Sequence, residues 1–401
     1  MQSHILAFVW VLTAEMVTDL FSRRAFLKGV AYSALAPYSL SAAIKEEVNK
    51  LQLYSAATDI NGDHWLVISN IKGETLNQLR LPSRAHQVFK HPSLEMLCVV
   101  ARRPGKHLSL VHSNTGTLIK TLFPSTGYHF YGHGLFSNDG RYLVTSENHI
   151  ESAEGRITVR DRLSDFNVVN QYHSQGIGPH EIKLTTDGQT LVVANGGIKT
   201  HPDKGRAKLN LSTMRPSLVY LNLSTGKLLE KKILPANSHQ LSIRHIDINH
   251  LDQVVIAMQY QGDRTDQVPL MAVHSRGEDI RLLNAPVNTY LAMKHYCGSV
   301  CFDTSGNFAA ATSPKGDRLT IWDISKEQLI DEVRCRDACG VAALDNQGFV
   351  VTSGTGKLYH YSIQHKAVQT LASFVSLNQV INEPPNLQER MAWDNHLSIS
   401  A

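Results

Sequence analysis

The stretch "PHEIKLTTDGQTLVVAN", residues 179–195, decides the fold. It starts with a proline, a histidine and a glutamate, runs through a short apolar segment to an Asp-Gly turn, and continues into a second apolar segment. Strand-forming residues on both sides of an Asp-Gly pair are the pattern of an antiparallel hairpin. The pattern, with an Asp-Gly-like turn, recurs in "AHQVFKHPSLEMLCVVA" (85–101), "GHGLFSNDGRYLVTSEN" (132–148), "RHIDINHLDQVVIAMQ" (244–259), "CGSVCFDTSGNFAAATS" (297–313) and "CGVAALDNQGFVVTSG" (339–354). Each copy is followed by a third strand-like run, such as "RITVRDR" (156–162) or "LTIWDISKE" (319–327), and a fourth, such as "NVVNQYHSQ" (167–175) or "KLLEKKILP" (227–235). Four strands per unit, at the roughly 45 to 65 residues of a propeller blade, predict an all-β propeller.

Six units are visible in this way. The segment "LYSAATDINGDHWLVISNIKGETLNQLRLP" (53–82) reads as a second, third and fourth strand without a first. "WDNHLSIS" (393–400) has the first-strand pattern alone. Joining the two completes a further blade, closes the ring and removes the open sheet edge. The expected architecture over residues 50–401 is a seven-bladed β-propeller, YVTN/WD40-like or quinoprotein amine dehydrogenase-like, closed by the C-terminal strand.

The composition agrees with a folded domain: 401 residues, 42% hydrophobic and 18% charged, with 26 glycines and 14 prolines. A net charge of +4 and the lack of a Lys/Arg block interleaved with aromatics give no footing for a nucleic-acid partner. Residues 1–43 read as an address rather than as fold. "SRRAFLK" (22–28), with Arg23 and Arg24, matches the twin-arginine export signal, and a weakly apolar run to Leu40 and small residues at Ser41–Ala43 follow it. The expectation is export to the periplasm by the twin-arginine translocase. Starting at Met16 would put the arginines at the usual distance from a start. The apolar stretch "ILAFVWVLTAEM" (5–16) is interrupted by Glu15 and too short for a membrane anchor.

The first strand of each blade lines the central channel of a propeller, so residues at its start converge on one axis. Counted back from the turn, His86, His133, His180 and His245 align, and His396 occupies the closing strand. Twenty histidines in 401 residues would fill at most one or two of seven matched positions by chance. Imidazole binds transition metals and titrates near neutrality, so the funnel reads as a metal or metal-bearing ligand site, as an acid/base site, or as histidines that satisfy backbone and water in the channel. Glu147, Glu181 and Asp394 lie close enough in sequence to orient an imidazole. Cys297 and Cys339 hold the corresponding place in the other two blades as possible soft ligands. The insertion "NGGIKTHPDKGRAKLNLSTMRPSL" (195–218) carries Lys199, His201, Arg206 and Lys208, an anion-seeking face on a long loop. No Ser-His-Asp order, glycine-rich phosphate loop or His-Glu-x-x-His helix is present, so catalysis has no specific signature.

"GIGPHE", "LVVANGGIKTHPDKGRAKLNLSTMRPSLVYL", "HQLSIRH", "SPKGDRLTIWD" and "WDNHL", together with the export tag, resemble the bacterial family of domain of unknown function 1513. That resemblance implies a twin-arginine-exported seven-bladed propeller. It also implies an association with iron uptake and with imelysin-like and di-haem peroxidase-like partners. The expected role is a periplasmic binding module for a transition metal (iron or copper), haem or a metal chelate. The alternatives are a propeller enzyme, either a lactonase-like hydrolase or a quinoprotein-like oxidoreductase, and an interaction scaffold.

Overall fold

A computed structural model describes residues 51–345, 348–373 and 391–400 of the chain. The export signal with Arg23 and Arg24 lies outside the described residues. Within them the strands run β1 to β28 in chain order and form seven four-stranded antiparallel sheets. The chain is a seven-bladed β-propeller. Among the described residues no helix is long and apolar enough to cross a membrane.

Six blades use consecutive strands, and the seventh is composite. There β28 (Ala392–Ser400) pairs antiparallel with β1 (Gln52–Thr58), from Gln52 opposite Ser400 to Thr58 opposite Ala392. The Ser55 hydroxyl donates to the His396 carbonyl at 2.6 Å and fastens this seam from within. The ring is thus closed by hydrogen bonds between residues more than three hundred positions apart, and the edge that β1 would otherwise expose is paired.

The Asp-Gly turn behaves as its sequence demands. Gly188 has φ +67, the Gly188 N–H donates to the Thr185 carbonyl, and the Thr185 hydroxyl donates to Asp187 Oδ1 at 2.6 Å. The second strand that follows, β13 (Thr190–Asn195), is buried on both faces. One face, with Leu191 and Val193, packs on the preceding blade and the other, with Val192 and Ala194, on the following one, which is why "LVVAN" is apolar without alternation. Val144, Ile157, Val193 and Val219 form one of these interblade wedges at 3% exposure or less. Each such side chain contributes about 1.5–3 kcal/mol relative to exposure.

The inner strands are β28, β4 (Ala85–Lys90), β8 (Tyr128–Phe136), β12 (Pro179–Leu184), β16 (Leu241–Ile248), β20 (Ser299–Phe302) and β24 (Ala338–Asp345). All but β20 break register with the second strand of their blade. The breaks fall between Ala85 and Val88, Phe130 and Gly134, Pro179 and Ile182, Ile243 and His245, Ala338 and Val341, and opposite Asp394–His396 in β28. A bulge frees residues from the ladder and re-aims their side chains. Each of the five aligned histidines lies within or at the edge of one.

Candidate metal centre

The bulges bring His86, His133, His180, His245 and His396 into one buried cluster on the propeller axis. His133 is the middle ring. Its centroid lies 4.8 Å from His86, 4.6 Å from His180, 5.9 Å from His245 and 4.6 Å from His396. The outer rings also touch one another, His180 with His245 at 4.7 Å and His86 with His396 at 4.6 Å. Ring nitrogens of His86, His133 and His396 all lie within 4.8 Å of one another, and so do those of His133, His180 and His245. His133 belongs to both triads.

The nitrogens are poorly satisfied. Among the described residues neither ring nitrogen of His133 has a hydrogen-bond partner, and His180 Nδ1 and His396 Nε2 have none either. A buried polar atom without a partner costs about 1–3 kcal/mol, so such a cluster is a place for ordered water, an ion or another ligand. Two rings are oriented from behind by carboxylates. His245 Nδ1 lies 3.2 Å from Glu181 Oε2, which also accepts the Ile246 N–H, and His86 Nδ1 lies 3.4 Å from Asp394 Oδ1. A carboxylate on the far nitrogen fixes the tautomer and leaves the other nitrogen's lone pair facing the cluster. Asp394 is itself held by Arg84 at 2.5 Å.

Burial keeps all five imidazoles neutral. It drives His86, His133 and His180 well below the ordinary histidine value, reinforced by neighbouring imidazoles. His245 and His396 fall to about 3. For His245 the further causes are Arg244 and Lys183; for His396, the pull of Glu181 upward is outweighed by burial. Neutral imidazole is the metal-binding form, so at neutral pH protons do not compete for these nitrogens.

Other candidates fall elsewhere. Glu147 takes Arg160 at 2.8 Å and the Thr145 hydroxyl at 3.0 Å, a buried ion pair inside its own blade that is not brought to an imidazole. Glu181 orients the histidine of the next blade, not its sequence neighbour His180. Cys297 precedes β20, the one inner strand without a bulge, and its thiol points into the core toward the Leu270 carbonyl at 3.9 Å; burial pushes it up to about 12. The Cys339 thiol donates to the Asp337 carbonyl at 3.2 Å. Neither sulfur joins the imidazole triads. All five cysteines are free thiols.

His86, His180 and His245 also line the floor of a bowl of about 790 Å³ at one mouth of the channel. Arg206 and Lys208 of the 195–218 insertion form part of its wall, whereas Lys199 and His201 do not line it. His201 instead caps a short 3₁₀ turn by accepting the Asp203 N–H. Sequence reasoning missed the other cations of the wall: Arg102 and Arg103 after β5 (Met96–Ala101), Arg244 beside His245, Arg264, Lys294 and Lys315. At the opposite mouth Lys183 bridges Asp247 at 2.9 Å and Glu181 at 4.0 Å, linking the cluster to a second charged layer.

Gly132 is required where β8 passes His86. Its φ is +109, and a Cβ there would lie 2.7 Å from His86 Cδ2. Gly132→Ala is expected to cost about 1–3 kcal/mol through backbone strain and displacement of the ring. This should read out as a Tm lower by a few degrees; a wild-type melting curve would refute the fit.

Residues 79–400 match the family model described as "Protein of unknown function (DUF1513)". No curated protein matches the chain.

Proposed function

The chain belongs to the DUF1513 family, and we propose that it is a periplasmic binding propeller that holds a transition metal, free or as a chelate, at its axial histidine cluster and serves iron uptake with partner proteins. The observation that carries this reading is His133, fully buried at the centre of four other imidazoles with both ring nitrogens unpartnered. The donor set is all imidazole, which suits iron, copper or zinc rather than magnesium or calcium. His86, His133, His180, His245 and His396 would hold such a metal, which would supply a compact positive charge to a ligand in the bowl. The protein's own residues set the conditions. His245 and His86 are oriented by Glu181 and Asp394, and these two carboxylates place negative charge behind the ligands of a divalent cation.

Haem fits less well than an ion or a chelate. The five rings pack against one another without a slot for a macrocycle, and Leu291 is the one aliphatic side chain among the described residues that line the bowl. The periplasmic address rests on the twin-arginine motif at Arg23 and Arg24. The link to imelysin-like and di-haem peroxidase-like partners rests on the family resemblance alone.

Elemental analysis and a visible spectrum of the protein isolated from the periplasm test this reading. The expected result is a bound transition metal without a Soret band. Protein that carries no metal and takes up none from iron, copper or zinc salts contradicts it, and a Soret band replaces the ion with haem.

A further inference from the structure

The bowl over the histidines is built for negative charge. Of its twenty lining residues eight are Lys or Arg and none is Asp or Glu. The whole chain carries a net charge of only +4, so the described bowl concentrates more positive charge than the protein has to spare. Arg102, Arg103, Arg206, Arg244, Arg264 and Lys294 make no ion pair with a carboxylate among the described residues. Arg103 instead lies over the Tyr131 ring at 5.5 Å, and Lys315 lies over the Tyr296 ring at 4.5 Å. Arg244 is the most telling. It is 6% exposed, adjoins His245 at the floor, and leaves its Nε without any partner. Lys208 and Lys315 are lowered by burial and neighbouring cations.

A buried guanidinium nitrogen with no partner is unfavourable until water or an anion completes it. Guanidinium forks grip carboxylate and phosphate oxygens through paired N–H donors. A volume of about 790 Å³ suits a small molecule rather than a chain segment. We propose that the bowl is a binding site for one small multivalent oxyanion, a polycarboxylate or polyphosphate, seated on Arg244 with its charge spread over the wall cations and its inner end facing His86, His180 and His245. The anion site stands on its own residues. One corollary rests on the metal reading: a metal at the histidines and an anion in the bowl neutralise each other's surroundings, so each tightens the other by the same factor.

Calorimetric titration of metal-stripped protein with citrate, pyrophosphate and acetate tests the site. Metal removal on a chelating resin leaves no soluble chelator to compete. We expect one equivalent of citrate or pyrophosphate to bind at least 100-fold more tightly than acetate, with affinity falling as salt rises. The preferred oxyanion assigns the ligand as carboxylate or phosphate. The exposed double variant Arg206→Gln/Arg264→Gln should weaken binding at least tenfold without a change in fold. Arg244→Met should weaken it about 100-fold while raising the Tm of the ligand-free protein, a gain that a merely structural arginine would not give. Lys232→Gln, on a remote surface, should change nothing.

The site is overturned if neither oxyanion binds at millimolar concentration, if acetate matches them, if the Arg244 variant binds as wild type does, or if a heparin fragment binds where both small oxyanions fail. Because the protein is metal-free throughout, these outcomes are independent of whether the histidines take a metal. Repeating the metal titration with and without citrate, with free metal calculated from the amount that citrate itself chelates, then reads the coupling, expected to be tenfold or more; equal affinities for the free ion overturn the corollary alone.

Discussion

His133→Leu is expected to reduce metal affinity by at least 100-fold, the largest loss of any single substitution in the cluster. His133 is shared by both imidazole triads, whereas His396 and His180 each belong to one. Removing His133 leaves no three nitrogens in either group; removing His396 leaves the group of His133, His180 and His245 intact. Loss of an orienting group alone typically costs 10–100-fold in metal affinity, and loss of a shared ligand exceeds that. Leucine is close to histidine in volume and brings no polar atom into a place where both ring nitrogens lack partners, so the metal-free variant should fold and melt at or above the wild-type temperature. His396→Leu should lose less. A competitive titration against a chromophoric chelator measures the three proteins side by side. Wild-type affinity in His133→Leu would mean that the metal binds elsewhere or that the cluster is only structural.

Acid is expected to destabilise the metal-free protein steeply below pH 6.5. The folded state holds all five imidazoles below the ordinary value, with His245 and His396 near 3, while the unfolded chain protonates them near 6.5. The unfolded state therefore binds more protons between these limits. The stability these groups contribute is fully present above pH 6.5 and is lost as the pH falls toward the folded values. One unit of separation is worth about 1.4 kcal/mol per histidine, so five together lose about 7 kcal/mol per pH unit once the unfolded histidines are charged. That is a large part of the 5–15 kcal/mol that typically holds a domain. Circular dichroism and tryptophan fluorescence should show cooperative acid unfolding between about pH 6 and 4, with uptake of about five protons. His133→Leu should move the midpoint to lower pH by removing one titrating ring, and bound metal should move it further still, since the ion must be displaced before the rings protonate. A flat stability profile from pH 7 to 4 would show that the rings take up protons in place.

Much of this was legible in the sequence, for definite reasons. The turn, Asp-Gly in two of the six units and Asp-Gly-like in the others, fixes register within each hairpin, and register fixes which residue begins the inner strand. His86, His133, His180, His245 and His396 could therefore be aligned before any coordinates. The composite blade was legible because a lone first-strand pattern at 393–400 and a missing first strand at 53–82 complement each other.

Glu181 and Asp394 were named from the sequence as orienting carboxylates, but which imidazole each would meet was not legible. Adjacent residues on a strand point to opposite faces, so Glu181 turns away from His180 and meets His245 of the next blade, a pairing that depends on the bulge and on the angle between blades. Glu147 follows the buried Arg160 within its own blade for the same reason. The basic bowl was hidden because its cations are single residues scattered from Arg102 to Lys315. One signal was available: several of them, including Arg102, Arg206, Arg264 and Lys315, follow the second strand of their unit, and those loops share the face where the inner strands begin. Aligning them, as the histidines were aligned, would have gathered the charge.

The central claim is that the axial histidines hold a metal, and X-ray absorption on metal-stripped protein reloaded with copper, iron or zinc tests it most directly. The account expects one retained equivalent whose nearest shell is imidazole nitrogen, lost in His133→Leu. No retained metal, or a shell of oxygen or sulfur unchanged by that substitution, would contradict it.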